Sequence, residues 1–283
     1  MTIITLETIA YVANLTELGK CCDATLIARG SWARTSHHIV QVKRMLEVRK
    51  REILRASVLG KLGLSALVPT SPINISASHN AHVVEQSIPA RFVIDGLTIE
   101  APAGVYHPTP NSSSELFLRN LKAMDRSKIG KVLEIGAGCG AISLSIAAHW
   151  NAKVVASDIS PVAIETIEKN AAVNGLKIET INSDLFEKIK EKDFDLIIFN
   201  APLIDKEPEN NVERDSLCDP GGHIMRRYLE EAGQFLKKGG VAIVSICSNS
   251  AYEALDDIDV NLRVIAFELS YSGFWWGIVA AKN

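Results

Sequence analysis

Apolar positions divide this chain into two regimes. Over residues 1–67 they recur at helical spacing: Ile3, Ile4, Leu6, Ile9, Ala10, Val12 and Ala13 form one pattern, and Val42, Met45, Leu46, Ile53 and Leu54 a second. From Lys131 onward, short apolar runs alternate with amphipathic stretches. The pattern predicts strands at 131–135, 153–157, 177–181, 194–199 and 241–247, with helices near 141–150, 161–173 and 223–236 between them. Ser160-Pro161 supplies an N-cap and first helical residue, and Asn174-Gly175 closes that helix. The 194–199 run is apolar on both faces, as a central parallel strand requires. Two final strands, 261–269 and 275–281, have too little chain between them for a crossover helix and must pair antiparallel.

The stretch between the two regimes differs from both. Residues 68–90 hold Pro69, Pro72 and Pro89 among Ser, Asn and His and read as a linker. Residues 91–99 alternate around Asp95-Gly96 and predict a hairpin. The expected organisation is a small helical domain at 1–67, a linker at 68–90 and an α/β domain at 91–283 carrying its own N-terminal hairpin.

Composition changes this picture little. The chain has 283 residues and a net charge of −3, so no global field draws in nucleic acid. No apolar stretch is long enough for a membrane span, and the first residues lack the basic and cleavage features of a secretory signal. Five cysteines form no C-x-x-C pair, which fits reduced thiols and a cytoplasmic location, and no metal site is expected. The second helical pattern carries Lys43, Arg44, Arg49, Lys50, Arg51 and Arg55 against Glu47 and Glu52. With no aromatic residues interleaved, a solvated face is favoured over an RNA contact.

Chemistry concentrates at the strand ends. Val132-Leu133-Glu134-Ile135-Gly136-Ala137-Gly138-Cys139-Gly140-Ala141 is a buried strand running into a glycine turn and a helix. Gly136-x-Gly138-x-x-Ala141, with Asp158 beyond it, satisfies the dinucleotide fingerprint. Glu134 argues otherwise, because an acid at the strand end suits an ammonium and repels a pyrophosphate. The same residues resemble the E/D-x-G-x-G-x-G turn of class I S-adenosylmethionine methyltransferases. That resemblance implies that Glu134, the turn residues Gly136, Ala137, Gly138 and Gly140, Asp158-Ile159, Asp184-Leu185 and Asn200 hold the methyl donor. Three acids at three consecutive strand ends would then meet its ammonium, ribose and adenine.

A second motif closes the 194–199 strand. Asn200-Ala201-Pro202-Leu203 resembles the N-P-P-[YF] loop of HemK/PrmC-type glutamine methyltransferases and related N-methyltransferases. Ser157-Asp158-Ile159-Ser160-Pro161, Lys169 through Gly175, and Gly104-Val105-Tyr106-His107-Pro108 are similar to that family too. The resemblance covers about residues 91–282. It implies a seven-stranded, mostly parallel Rossmann-like sheet ending in an antiparallel hairpin. It also implies a loop in which the Asn200 side chain and the carbonyl of residue 201 accept the two hydrogens of a planar NH2, directing the nitrogen lone pair at the methyl group. Ala201 keeps the carbonyl and Pro202 the loop shape. Leu203 replaces the aromatic residue that would pack on the acceptor. Tyr106, His107 and His223 are candidates for the acceptor side by chain position alone.

These features predict N-methylation by in-line transfer with Asn200 orienting the acceptor. Loss of the aromatic at Leu203 places a small molecule first as acceptor, a protein glutamine second and RNA third. A non-catalytic donor-binding module is the alternative of another class. The loop at 202–222 holds Asp205, Glu207, Glu209, Glu213, Asp215 and Asp219. Read as an acidic lid, it disfavours RNA and tolerates an amine. A homo-oligomer is left open.

Overall fold

The computed structural model describes residues 32–68, 83–110, 112–269 and 274–282. The first predicted helical pattern lies outside them. The chain divides into two compact units, 1–50 and 51–283. Helix α1, Trp32–Lys61, runs through the division.

Within the second unit, α1 buries a face that the apolar pattern did not mark. Ile53 is exposed, whereas Arg55, Val58, Leu59 and Leu62 are buried. Val58, Leu59, Leu62, Leu64 and Val68 share one core with the sheet. Residues read as helical domain and linker are therefore built into the α/β unit. Gln86, from the same expected linker, is fully buried. Its side-chain oxygen accepts from the His107 amide at 2.6 Å.

The predicted hairpin forms as β1 (Ala90–Ile94) and β2 (Leu97–Ala101). Ile94 pairs with Leu97, leaving Asp95-Gly96 as a two-residue turn. Helix α2, Ser113–Ala123, begins at Ser112, whose hydroxyl accepts from the Glu115 amide. Then follow β3 (Lys131–Ile135), α3 (Ala141–His149), β4 (Lys153–Asp158), α4 (Pro161–Val173), β5 (Glu179–Asn182) and β6 (Phe194–Phe199). The chain finishes with α5 (His223–Ala232), β7 (Leu236–Cys247), β8 (Leu262–Leu269) and β9 (Trp275–Lys282).

One predicted boundary moves. Helix α5 stops at Ala232 rather than 236, and β7 starts at Leu236 rather than 241. Leu236 pairs with Phe194, and a register shift before Leu196 absorbs the extra residues. Gly239-Gly240 lies within this long strand.

The seven strands are ordered β5-β4-β3-β6-β7-β9-β8. β5 through β7 are parallel. β9 pairs antiparallel with both β7 and β8. Chain order reverses between β3 and β6, so a crevice opens there at the strand carboxyl ends. The hairpin is held to α4 by two asparagines one turn apart. Asn170 exchanges hydrogen bonds with the backbone of Glu100, and Asn174 with that of Thr98. Amide side chains thus extend the ladder of β2, which accounts for their place in the Lys169–Gly175 motif. Among the described residues no helix is long and apolar enough to cross a membrane.

Candidate functional site

A cavity of about 1370 Å³ opens at the β3/β6 reversal. Single-ligand pockets run to roughly 1,000 Å³, so there is room for two reactants. Glu134, Gly136, Ala137, Gly138, Asp158, Ile159, Asp184, Leu185, Tyr106, Asn200, Ala201, Pro202 and Leu203 all line it. Nearly every residue singled out from the sequence therefore converges on one space. Gly140 lies behind the lining as the N-cap of α3.

The glycine turn is self-contained. The Ala137 amide donates to Ser157 O, Gly138 to Asp158 Oδ2 and Gly140 to Ala137 O. The Ser143 amide, one turn into α3, donates to Glu134 Oε2 at 2.8 Å. Three of the turn's amides are thus engaged within the fold, and the Gly138 amide is held by a carboxylate that would repel a pyrophosphate, which weighs against the dinucleotide alternative. Gly138 has φ +57°, and a Cβ there would make ordinary contact with Tyr106 and Val105, both 3.9 Å away. At Gly136 a Cβ would lie 2.9 Å from the Phe199 ring, so a bare backbone lets β3 and β6 meet directly before Asn200.

Two buried acids face this turn. Glu134 is 2% exposed, and burial pushes its carboxyl up to about 8 against the pull of the Ser143 hydrogen bonds. Asp158 is raised by burial as well, while accepting from the Gly138 and Ser160 amides. Each carboxylate keeps acceptor capacity beyond these bonds. A cationic, hydroxyl-rich ligand fits a cavity with two desolvated acids. Asp184 differs: Arg227 Nη1 lies 3.2 Å from its Oδ1. Arg227, itself a lining residue, had no distinguishing signal in the sequence.

On the other side, Asn200 is held at both ends. Its Nδ2 donates to Ser114 Oγ at 3.2 Å, and Ser245 Oγ donates to its Oδ1 at the same distance. Neither serine was marked by the sequence, because both come from distant elements. The Ala201-Pro202-Leu203 backbone follows. Leu203 O accepts from Ser250 Oγ at 3.1 Å, and Leu203 N donates to Leu217 O.

Tyr106 lines the cavity with its hydroxyl 3.1 Å from Ser113 Oγ. Burial raises its phenol above the usual value. His107 is buried away from the lining against Phe92, and burial lowers its imidazole. His223 starts α5, exposed and off the cavity.

The acidic loop is not a free negative surface. Glu213 is buried and paired with Lys206. Asp219 accepts from the Ile224 and Met225 amides and caps α5. Asp205 meets Arg51 and the Gly221 amide. The loop presents Arg214 beside Asp215 to the cavity, and Ser216 Oγ fastens it to Gly104 O at 2.9 Å. The electrostatic case against RNA from six loop acids therefore loses three of them.

The profile of the methyltransferase small domain family matches residues 96–271. A putative protein N5-glutamine methyltransferase of Methanocaldococcus jannaschii is 34% identical over 185 residues, 63% of this chain and 89% of that protein. The release factor glutamine methyltransferase of Streptococcus pneumoniae is 32% identical over 178 residues, 56% of this chain and 61% of that protein. Ribosomal RNA small subunit methyltransferase C of Salmonella choleraesuis is 36% identical over 118 residues, 41% of this chain and 33% of that protein. The chain thus spans less than two thirds of these last two relatives. The solved T. Thermophilus 16S rRNA N2 G1207 methyltransferase, in complex with AdoMet and guanosine, shares the fold at TM-score 0.53 and 21% identity, over 69% of this chain and 50% of that one. With the donor cavity, the reversed sheet and the family match in hand, the chain belongs to the methyltransferase small domain family and is an S-adenosylmethionine-dependent methyltransferase.

Proposed function

We propose that this protein methylates the side-chain amide nitrogen of a glutamine in a protein substrate. The observation that carries the proposal is Asn200, clamped between Ser114 and Ser245 beside the donor cavity. Its Oδ1 keeps a lone pair after accepting from Ser245. That lone pair and the Ala201 carbonyl take the two hydrogens of an amide NH2 and turn its nitrogen toward the donor. S-adenosylmethionine, when bound, would supply the electrophilic methyl group: the N–CH3 bond forms as the S–CH3 bond breaks, the sulfonium leaves as the neutral thioether, and the nitrogen gives up one N–H proton to water. Glu134 and Asp158 would hold its ammonium and ribose, with Ile159 and Leu185 bounding the adenine.

The chemistry asks for position more than for acid–base work. Two hydroxyls fixing one carboxamide meet that need. Burial raises the Tyr106 phenol further above its ordinary value, which makes it a poor base at neutral pH. His107 and His223 point elsewhere, so neither receives a role. Support for a protein amide over the small molecule favoured from sequence comes from the relatives, two of which are named for glutamine methylation. A ribosomal RNA base nitrogen is the second reading, favoured by Arg214 on the cavity side of the loop.

The test uses tritiated S-adenosylmethionine and two acceptors: a release factor produced without its own glutamine methyltransferase, and ribosomal RNA. Label on a glutamine is expected. Asn200→Ala should lose at least about 100-fold in kcat, as deletion of a single transition-state contact does. Affinity for the demethylated product should stay within about twofold, since Asn200 faces the acceptor. Turnover equal to wild type removes Asn200 from the mechanism, and label on RNA alone replaces the protein substrate.

A further inference from the structure

Leu203 leaves the acceptor loop without an aromatic residue, yet the cavity has one on that side. We propose that Phe274, standing immediately before β9, is the aromatic face against which a planar acceptor is held; this rests on the N-methyltransferase reading above.

Topology places it there. β9 runs antiparallel to β7, so its first residues lie at the carboxyl ends of the parallel strands. Trp276 pairs with Cys247, the last residue of β7, and the Ser248 amide donates to Trp275 O at 3.0 Å. Phe274 is thereby anchored one residue beyond a paired backbone. Side chains alternate along β9: Trp275 joins the core under α5, whereas Phe274 and Trp276 pack on the opposite face with Leu203. Phe274 and Leu203 are both partly buried there, and both line the cavity with Cys247 and Asn200.

Elimination strengthens the assignment. Among the described residues three aromatic side chains line the cavity: Tyr106, Phe199 and Phe274. Phe199 packs on Tyr228 at 5.0 Å and lies directly against Gly136. Tyr106 is tied to Ser113 and stands over Gly138. Both pack against the glycine turn, Phe199 from the end of β6. The acids read as donor contacts follow β3, β4 and β5, whereas Asn200, Cys247 and Phe274 stand at the ends of β6, β7 and β9 on the other side of the reversal. Of the three, Phe274 is the one packed with Leu203. The sequence substitutes Leu at 203 and brings the ring from the other end of the domain, a replacement that no local motif reports.

The experiment compares wild type with Phe274→Leu, Phe274→Tyr and Leu203→Phe/Phe274→Leu, on the release factor and on ribosomal RNA. Phe274→Leu keeps apolar bulk and removes the π face, so packing survives. We expect it to raise acceptor KM by about tenfold, the upper end of what an aromatic pair contributes. Titration with S-adenosylhomocysteine should be unchanged. Phe274→Tyr should behave as wild type, and the double variant should recover part of the loss by returning the ring to 203. Acceptor KM within about twofold of wild type in Phe274→Leu would show a packing role only and overturn the inference while leaving the proposed function intact. Wild-type protein that binds S-adenosylhomocysteine yet labels neither acceptor overturns both.

Discussion

Glu134 gives the sharpest quantitative test, because its carboxyl is held near pH 8 in the folded state by burial against an ordinary value of 4.5. The sign follows directly. A folded-state pKa above the unfolded value means the folded chain binds the proton more tightly. Stability from this group is fully present below about pH 4.5 and is lost as pH rises toward about 8. The loss amounts to at most about 1.4 kcal/mol per pH unit. From about pH 5 to about pH 8 it sums to on the order of 3–4 kcal/mol, a large share of a domain's net stability. Glu134→Gln abolishes the titration and preserves the shape, since the amide oxygen still accepts from the Ser143 amide and hydroxyl. The assay is urea unfolding of both proteins across that range without ligand. Wild type should lose stability relative to the variant by that amount, a midpoint difference of roughly 1–2 M urea. Titration with S-adenosylhomocysteine supplies the second arm. An ammonium beside Glu134 favours the carboxylate, so wild type should release a proton at neutral pH and the variant none. Loss of the charged partner should weaken variant binding by about tenfold to a hundredfold. Parallel stability profiles for the two proteins would refute the buried-carboxyl reasoning, and equal affinity would refute the ammonium contact.

Two further perturbations probe the frame and the turn. Arg55 is 1% exposed, lies 4.3 Å over the Tyr252 ring, and reaches Glu253 at 2.9 Å and the Ser248 and Ser250 carbonyls. Arg55→Met strands those partners and should cost about 3–5 kcal/mol in urea unfolding, as breaking a buried pair does; a change under about 1 kcal/mol would show the clasp to be dispensable. Gly138→Ala places a methyl group in the donor cavity at φ +57°. It should weaken S-adenosylhomocysteine binding at least about tenfold and lower stability by about 1–2 kcal/mol for the left-handed backbone. Unchanged calorimetric binding would move the donor away from the turn.

The sequence by itself determined the sheet, the helices between its strands and the residues that gather at its carboxyl ends. Those depend on local physics: apolar runs bury, Ser-Pro starts a helix, Asp-Gly turns a hairpin, and acids at successive strand ends share one edge. Tertiary structure decided the rest, through partners far apart in the chain. It turned the basic stretch of α1 inward at Arg55, because the carbonyls after β7 and Glu253 wait there. It spent the loop acids on Lys206, Arg51 and the start of α5, so that their number said little about the field inside the cavity. It supplied Ser114, Ser245 and Phe274 to the acceptor side from α2, β7 and the approach to β9. No spacing along the chain encodes such meetings, since they exist only once the sheet has ordered its strands.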